Sequence, residues 1–138
     1  SIEATINEFT SFGVPVSKLG IGIPFYGRKF PGDTGPSHAN THSGGISYKD
    51  IIFTGEVYDS TYGEQGLVNA GEWITYAGPQ LINDIVAFGS SVGVGGFMAF
   101  PINQEDSGHS LSAALTDALF NAAWAEEIAQ RSPTPFDK

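Results

Sequence analysis

Apolar positions along the chain follow two different periods. Ile2, Ile6 and Phe9 recur at four- and three-residue steps with Glu3 and Glu8 between them, a spacing that predicts an amphipathic helix over 2–12. Gly13 stands where a helix C-cap belongs and Pro15 follows two residues later, so the helix ends there. From Lys18 to Phe25 the apolar residues form a short run without polar alternation; this reads as a strand buried on both faces, as in a parallel sheet. Residues 29–47 are dominated by Gly, Pro, Ser, Thr, Asn and His and read as loop. Ile51-Ile52-Phe53, Glu56-Val57-Tyr58 and Glu72 to Tyr76 are β-type pieces broken by glycine, which predicts a small antiparallel, hairpin-rich unit over 48–76.

Helical period returns at Pro79, a favoured first helical residue, and Leu81, Ile82, Ile85, Val86 and Phe88 cover one side before Gly93 stops it. Val94 to Phe100 reads as a second buried strand in which Gly95-Gly96 permits close backbone approach. A polar loop from Asn103 to Gly108 leads to a last helix, from about Ser110 to Gln130, closed by Pro133 and Pro135. Leu111, Leu115, Leu119, Ala122 and Ala123 form its apolar stripe. Helix, strand, β-rich insert, helix, strand, helix is the rhythm of an α/β chain with a parallel sheet.

Composition narrows what such a chain does. Its 138 residues carry a formal net charge of −9 with only six Lys and Arg, which argues against nucleic acid and anionic membrane as partners. No apolar run reaches the roughly 18 residues of a membrane helix. The absence of cysteine removes disulfide and thiolate chemistry. The chain opens on Ser1-Ile2-Glu3 inside a helical pattern, in the manner of a processed product or an excised piece. Two strands are too few for a closed parallel barrel, which takes about eight strands and about 250 residues.

Three stretches resemble the chitinases of glycoside hydrolase family 18. Gly13 to Arg28, ending in Tyr26-Gly27-Arg28, resembles that family's helix-to-strand joint and seventh barrel strand. Glu72 to Pro79 is similar to the segment leaving the family's α+β insertion. Gly93 to Asp106 resembles the eighth strand and the acidic loop beyond it. The resemblance implies an α/β fold that is part of a (β/α) TIM barrel, with residues 1–28 and 77–138 as partial barrel and 29–76 as a small, mostly antiparallel insertion. It implies no cofactor and an extracellular, secreted setting. The family's acidic signature, Asp-x-x-Asp-x-Asp-x-Glu, and its Met-x-Tyr-Asp motif do not occur in these residues; Met98, the single Met, is followed by Ala99-Phe100-Pro101.

The site that the resemblance implies is a carbohydrate site. Tyr26 and Arg28 match family residues that contribute to the sugar subsites, and Phe100 stands where the family has a Trp that stacks on sugar. Trp73 and Tyr76 read as packing residues of the insertion, Trp124 as a packing residue of the last helix, Glu105-Asp106 as solvated loop, and Glu56, Asp59 and Glu64 as insertion carboxylates of which one could touch sugar. His38 and His42 are four apart in a loop without a third ligand, so no metal is expected, and His109 carries no signal. The expectation is a chitin-type (N-acetylglucosamine) carbohydrate-binding protein that is inactive alone. The alternatives are the C-terminal piece of an active chitinase and a structural or interaction protein built from half a barrel. Open strand edges predict self-association or pairing with a further barrel segment.

Overall fold

A computed structural model describes residues 1–36, 41–60 and 63–130, with side chains up to 123. Helix α1 (Ile2–Ser11) is capped by Ser1, whose hydroxyl accepts from the Ala4 amide at 3.2 Å and satisfies one of the free first-turn donors. A 3₁₀ turn at Val16–Lys18 leads into β1 (Gly20–Pro24). The chain then turns at Phe25 into β2 (Tyr26–Pro31). Strands β3 (Gly44–Ser47), β4 (Glu56–Asp59), β5 (Glu64–Asn69) and β6 (Glu72–Tyr76) follow. Helix α2 (Pro79–Val92), strand β7 (Gly96–Phe100) and helix α3 (Ser110–Gln130) complete the order. The prolines at 133 and 135 lie outside the described residues.

Strands β1 and β7 form a parallel pair with Gly20 opposite Gly96 and Pro24 opposite Phe100. The other five make an antiparallel sheet in the order β3-β2-β6-β5-β4. The two sheets divide at Phe25, whose amide still bonds the Phe100 carbonyl at 2.9 Å while Tyr26 pairs with Ser47 of β3. One buried cluster spans both sheets: Ile23 and Phe25 meet Tyr48, Leu67 and Ile74 from the antiparallel region and Ile82, Val86, Leu111 and Ala118 from the helices. Each large side chain so buried contributes on the order of 1.5–3 kcal/mol.

The helices follow their sequence signals. Pro79 opens α2, and Gly93 ends it in the left-handed conformation at φ 82°, where a side chain would be strained. Gly89 lets α2 lie close on the parallel pair, since a Cβ there would stand 2.7 Å from the Phe97 ring and 2.8 Å from Ile21.

Three expectations are corrected. Strand β1 is buried on one face only: Ile21 and Ile23 are buried and Gly20 and Gly22 exposed. The helices cover one side of the pair, and the other carries Gly22, Met98 and Phe100. Second, the 29–47 stretch is not all loop. Strand β2 continues to Pro31 and Gly44–Ser47 forms β3, because the extended backbone leaving Phe25 finds β6 on one flank and β3 on the other. Third, 51–53 is not a strand; a 3₁₀ turn at Tyr48–Asp50 points Ile51 into the core, and the sheet uses Glu64–Asn69 instead.

Candidate carbohydrate site

Strand β2 places Tyr26, Arg28 and Phe30 on one face, by the two-residue period of a strand. The Arg28 guanidinium carbon lies 6.0 Å from the Tyr26 ring centroid, within cation–π range. Opposite Arg28 on β3 stands Gly45, and on β6 stands Thr75. The guanidinium is therefore flanked by small groups on both sides, and Arg28 is exposed. Its Nη1 bonds His42 Nε2 at 3.0 Å.

Tyr26 is the hinge of the site. It lines a cavity of about 320 Å³ with Arg28, Glu64, Thr75 and Tyr76, and one of about 300 Å³ with Pro24, Met98 and Phe100. A third, of about 490 Å³, joins it to Ser47, Phe100 and Gln104. Phe100 is 63% exposed at the end of β7, so its ring is not a core ring. An exposed aromatic face beside polar groups, at the C-terminal ends of parallel strands, is the arrangement on which a sugar's apolar face stacks while its hydroxyls find partners.

The wall formed by the antiparallel sheet is fixed by hydrogen bonds. Tyr76 donates its hydroxyl to Glu56 at 2.6 Å and Gln65 donates to the same carboxylate at 3.1 Å. Gln65 in turn accepts from the Leu81 amide at 3.2 Å, serving the first turn of α2. Burial, and next the bond to Glu56, push the Tyr76 hydroxyl well above the ordinary phenol range. Trp73, 0% exposed, donates its indole N–H to Glu64 at 2.7 Å. Trp73 and Tyr76 are packing residues, and Glu56 and Glu64 are engaged in holding them. The antiparallel region is tied to the turn after β7 through Lys49 Nζ, 3.1 Å from the Asn103 carbonyl, and to α2 through Tyr58, which donates to Asp84.

Glu105 and Asp106 lie in a loop, as read, but Glu105 is buried and Asp106 partly buried, so their carboxylates are not freely solvated, which corrects the sequence reading. Glu105 is 7% exposed and accepts from the Ser112 amide at 3.1 Å, the Ser112 hydroxyl at 2.8 Å and His109 Nδ1 at 3.0 Å. Asp106 accepts from the amides of Gly108 at 2.8 Å and Ser110 at 3.3 Å and from the Ser110 hydroxyl. Together they cap the start of α3. Burial alone would raise the Glu105 carboxyl; the bonds from His109 and Ser112 outweigh it and hold it below the usual range. The Ser110 hydroxyl does most to lower Asp106. The bond to Glu105 raises His109, which sits at φ 55°. His109 thus has a structural role that its sequence setting did not signal.

Of the histidine pair, His38 lies outside the described residues; among those described no group of three His, Cys, Asp or Glu could hold a metal. The Trp124 side chain is likewise not described.

Comparison with known proteins places this geometry. The family model for glycosyl hydrolases family 18 matches residues 1–105. Chitinase 63 of Streptomyces plicatus is 29% identical over 126 residues, 81% of this chain and 20% of its own length. Endochitinase 1 of Metarhizium anisopliae is 27% identical over 145 residues, 96% of this chain and 34% of its own. The chain thus spans between a fifth and about a third of these curated relatives. Among solved structures, the chitinase-like agglutinin from Robinia pseudoacacia is 34% identical with a TM-score of 0.70, over 83% of this chain and 36% of that one. A class V chitinase mutant from Cycas revoluta, solved with (GlcNAc)3, shares the fold at 24% identity and a TM-score of 0.72, over 82% of this chain and 37% of that one. The parallel pair with its helices is part of a chitinase-type α/β barrel, and the chain belongs to glycosyl hydrolases family 18.

Proposed function

We propose that this chain forms one wall of a cleft for chitin-type oligosaccharides, with Tyr26, Arg28 and Phe100 in contact with the sugar. The observation that carries the reading is the position of Tyr26, which shares one cavity with Arg28 and two others with Phe100. Phe100 offers a flat apolar face to a pyranose ring; the Tyr26 hydroxyl and the Arg28 fork supply a donor–acceptor group and a multiple donor for hydroxyl and acetamide oxygens. The relatives support the reading: the 34% identical structure is that of a chitinase-like agglutinin, and the Cycas revoluta chitinase mutant is in complex with (GlcNAc)3. An extracellular setting belongs to the same proposal.

The chain unaided is proposed to bind rather than to hydrolyse. Glycosidic cleavage needs a carboxylic acid poised to protonate the leaving oxygen. Glu64, the carboxylate beside Tyr26 and Arg28, accepts a hydrogen bond from the Trp73 indole N–H, and Glu105 is engaged in the α3 cap. Calorimetric titration with N-acetylglucosamine oligomers tests the reading: heat of binding that grows with oligomer length supports it, and flat heats at millimolar sugar contradict it. Turnover of a chromogenic chitobioside by the pure chain would contradict the non-hydrolytic half.

A second observation favours association. The face of the parallel pair opposite the helices presents Met98, 61% exposed, below the strand end that carries Phe100, and the outer edges of β1 and β7 pair with no other strand among the described residues. We propose that this face and these edges are covered by a second copy or by further barrel strands.

A further inference from the structure

Among the described residues Arg28 is the cation of the proposed sugar wall, and a histidine from a different segment bonds it. The Ser43 amide bonds the Lys29 carbonyl at 2.8 Å, continuing the β2–β3 pairing one step past Gly44. This places His42 beside the outer end of β2. Its ring meets the Phe30 ring edge-on, with centroids 6.2 Å apart and planes at 80°. Its Nε2 lies 3.0 Å from Arg28 Nη1. Gly44 and Gly45 are the cross-strand residues here, so β3 offers no side chain of its own to steady the guanidinium. A guanidinium only donates hydrogen bonds. The 3.0 Å contact therefore requires a lone pair on Nε2, which makes the imidazole neutral with its proton on Nδ1.

We propose that His42 is a positioning residue for Arg28: as the neutral Nδ1–H tautomer it accepts from the guanidinium and holds it beside Tyr26, preformed for a sugar oxygen. Fixing a long side chain before the ligand arrives removes ordering entropy from the binding step. The proposal deepens the carbohydrate reading and rests on it. It also gives a role to a residue whose sequence setting, a histidine four from another in a loop without a third ligand, suggested none.

Two measurements test it on the whole chain. Long-range ¹H–¹⁵N NMR at about pH 8, where imidazoles are neutral, reads the ring directly and without sugar. Expected is a lone-pair nitrogen at Nε2 and a protonated one at Nδ1, and the opposite tautomer overturns the contact. Titration with N-acetylglucosamine oligomers then compares Arg28→Ala, His42→Phe and His42→Gln. His42→Phe keeps a ring against Phe30 but has no acceptor, and is expected to weaken binding roughly threefold to tenfold. His42→Gln, which restores an acceptor, is expected to recover most of that loss. His42→Phe added to Arg28→Ala is expected to cost nothing more, since coupled residues are not additive. A weakened Arg28→Ala beside an unchanged His42→Phe overturns the positioning role alone. An unchanged Arg28→Ala overturns the sugar contact and the positioning with it, and the tautomer result then shows whether the Arg28–His42 bond itself was wrong.

Discussion

Phe100 and Glu105 stand five residues apart on the same rim, and their environments invert what their residue types suggest. The phenylalanine is the exposed one and the glutamate the buried one. An aromatic ring left 63% exposed beside Tyr26 gains nothing from core packing, so its removal is a binding test rather than a folding test. Phe100→Ala is expected to weaken chitin-oligomer binding about tenfold with little change in melting temperature, the order expected for loss of one aromatic contact. Phe100→Trp, with a larger face and an N–H donor, is expected to strengthen it. Calorimetry on the two variants checks both, and a large drop in melting temperature for Phe100→Ala would return the ring to the core. At this scale the proposed contacts Tyr26, Arg28 and Phe100 come from the chain's resemblance to family motifs at strand ends. The use of Glu105 was not, because a carboxylate's burial depends on which amides and hydroxyls fold over it. His42 was visible as a histidine but not as a partner of Arg28, since the pairing crosses 14 residues.

Among elements, α3 depends on titratable groups at its start. Glu105 and Asp106 both titrate lower in the folded chain than in the unfolded one. Their contribution is therefore complete above the unfolded values, about 4.3 for Glu and about 3.9 for Asp, and is lost as pH falls through the folded ones. His109 has the opposite sense: its value is raised, so its contribution is present below about 6.5 and lost as pH climbs through the folded value. Its ring is largely exposed, and solvent screening keeps that part small. Thermal melts are expected to show a falling melting temperature from about pH 5 down to about pH 3. Glu105→Gln should melt lower at pH 6 and lose much of this acid slope; a slope parallel to the parent's would contradict the cap. Helices were the legible elements, with α2 and α3 beginning where Pro79 and Ser110 signal. The insertion was less so. Glu64–Asn69 holds polar Glu and Gln and a glycine in its first half, and only its place between β4 and β6 makes it a strand; Ile51-Ile52-Phe53 looks β-like but follows a 3₁₀ turn that directs Ile51 into the core.

The whole molecule is a piece of α/β barrel with one sheet face packed by helices and the other open. The run from Leu19 to Phe25 has no polar residue to mark an exposed side, so the sequence pattern alone assigned both faces to the interior; Gly20 and Gly22 supply the open side without polarity. An apolar face holding Met98, next to strand edges that pair with no other described strand, is the proposed pairing surface. Sedimentation velocity at micromolar concentration is expected to show association that Met98→Lys reduces, and a strict monomer would contradict the proposal. Charge neither helps nor hinders assignment of the ligand here: a net −9 leaves neutral sugar as a compatible partner and polyanions as poor ones.

The most direct test of the central claim, that the sugar wall lies at Tyr26, Arg28 and Phe100, is a map of amide shifts in ¹⁵N-labelled chain on addition of a soluble N-acetylglucosamine oligomer. The account predicts saturable perturbations centred on the joint of β1 with β2 and on the end of β7, with α2 and the outer side of α3 unmoved. Perturbations confined to the helices, or none at millimolar oligomer, would contradict it.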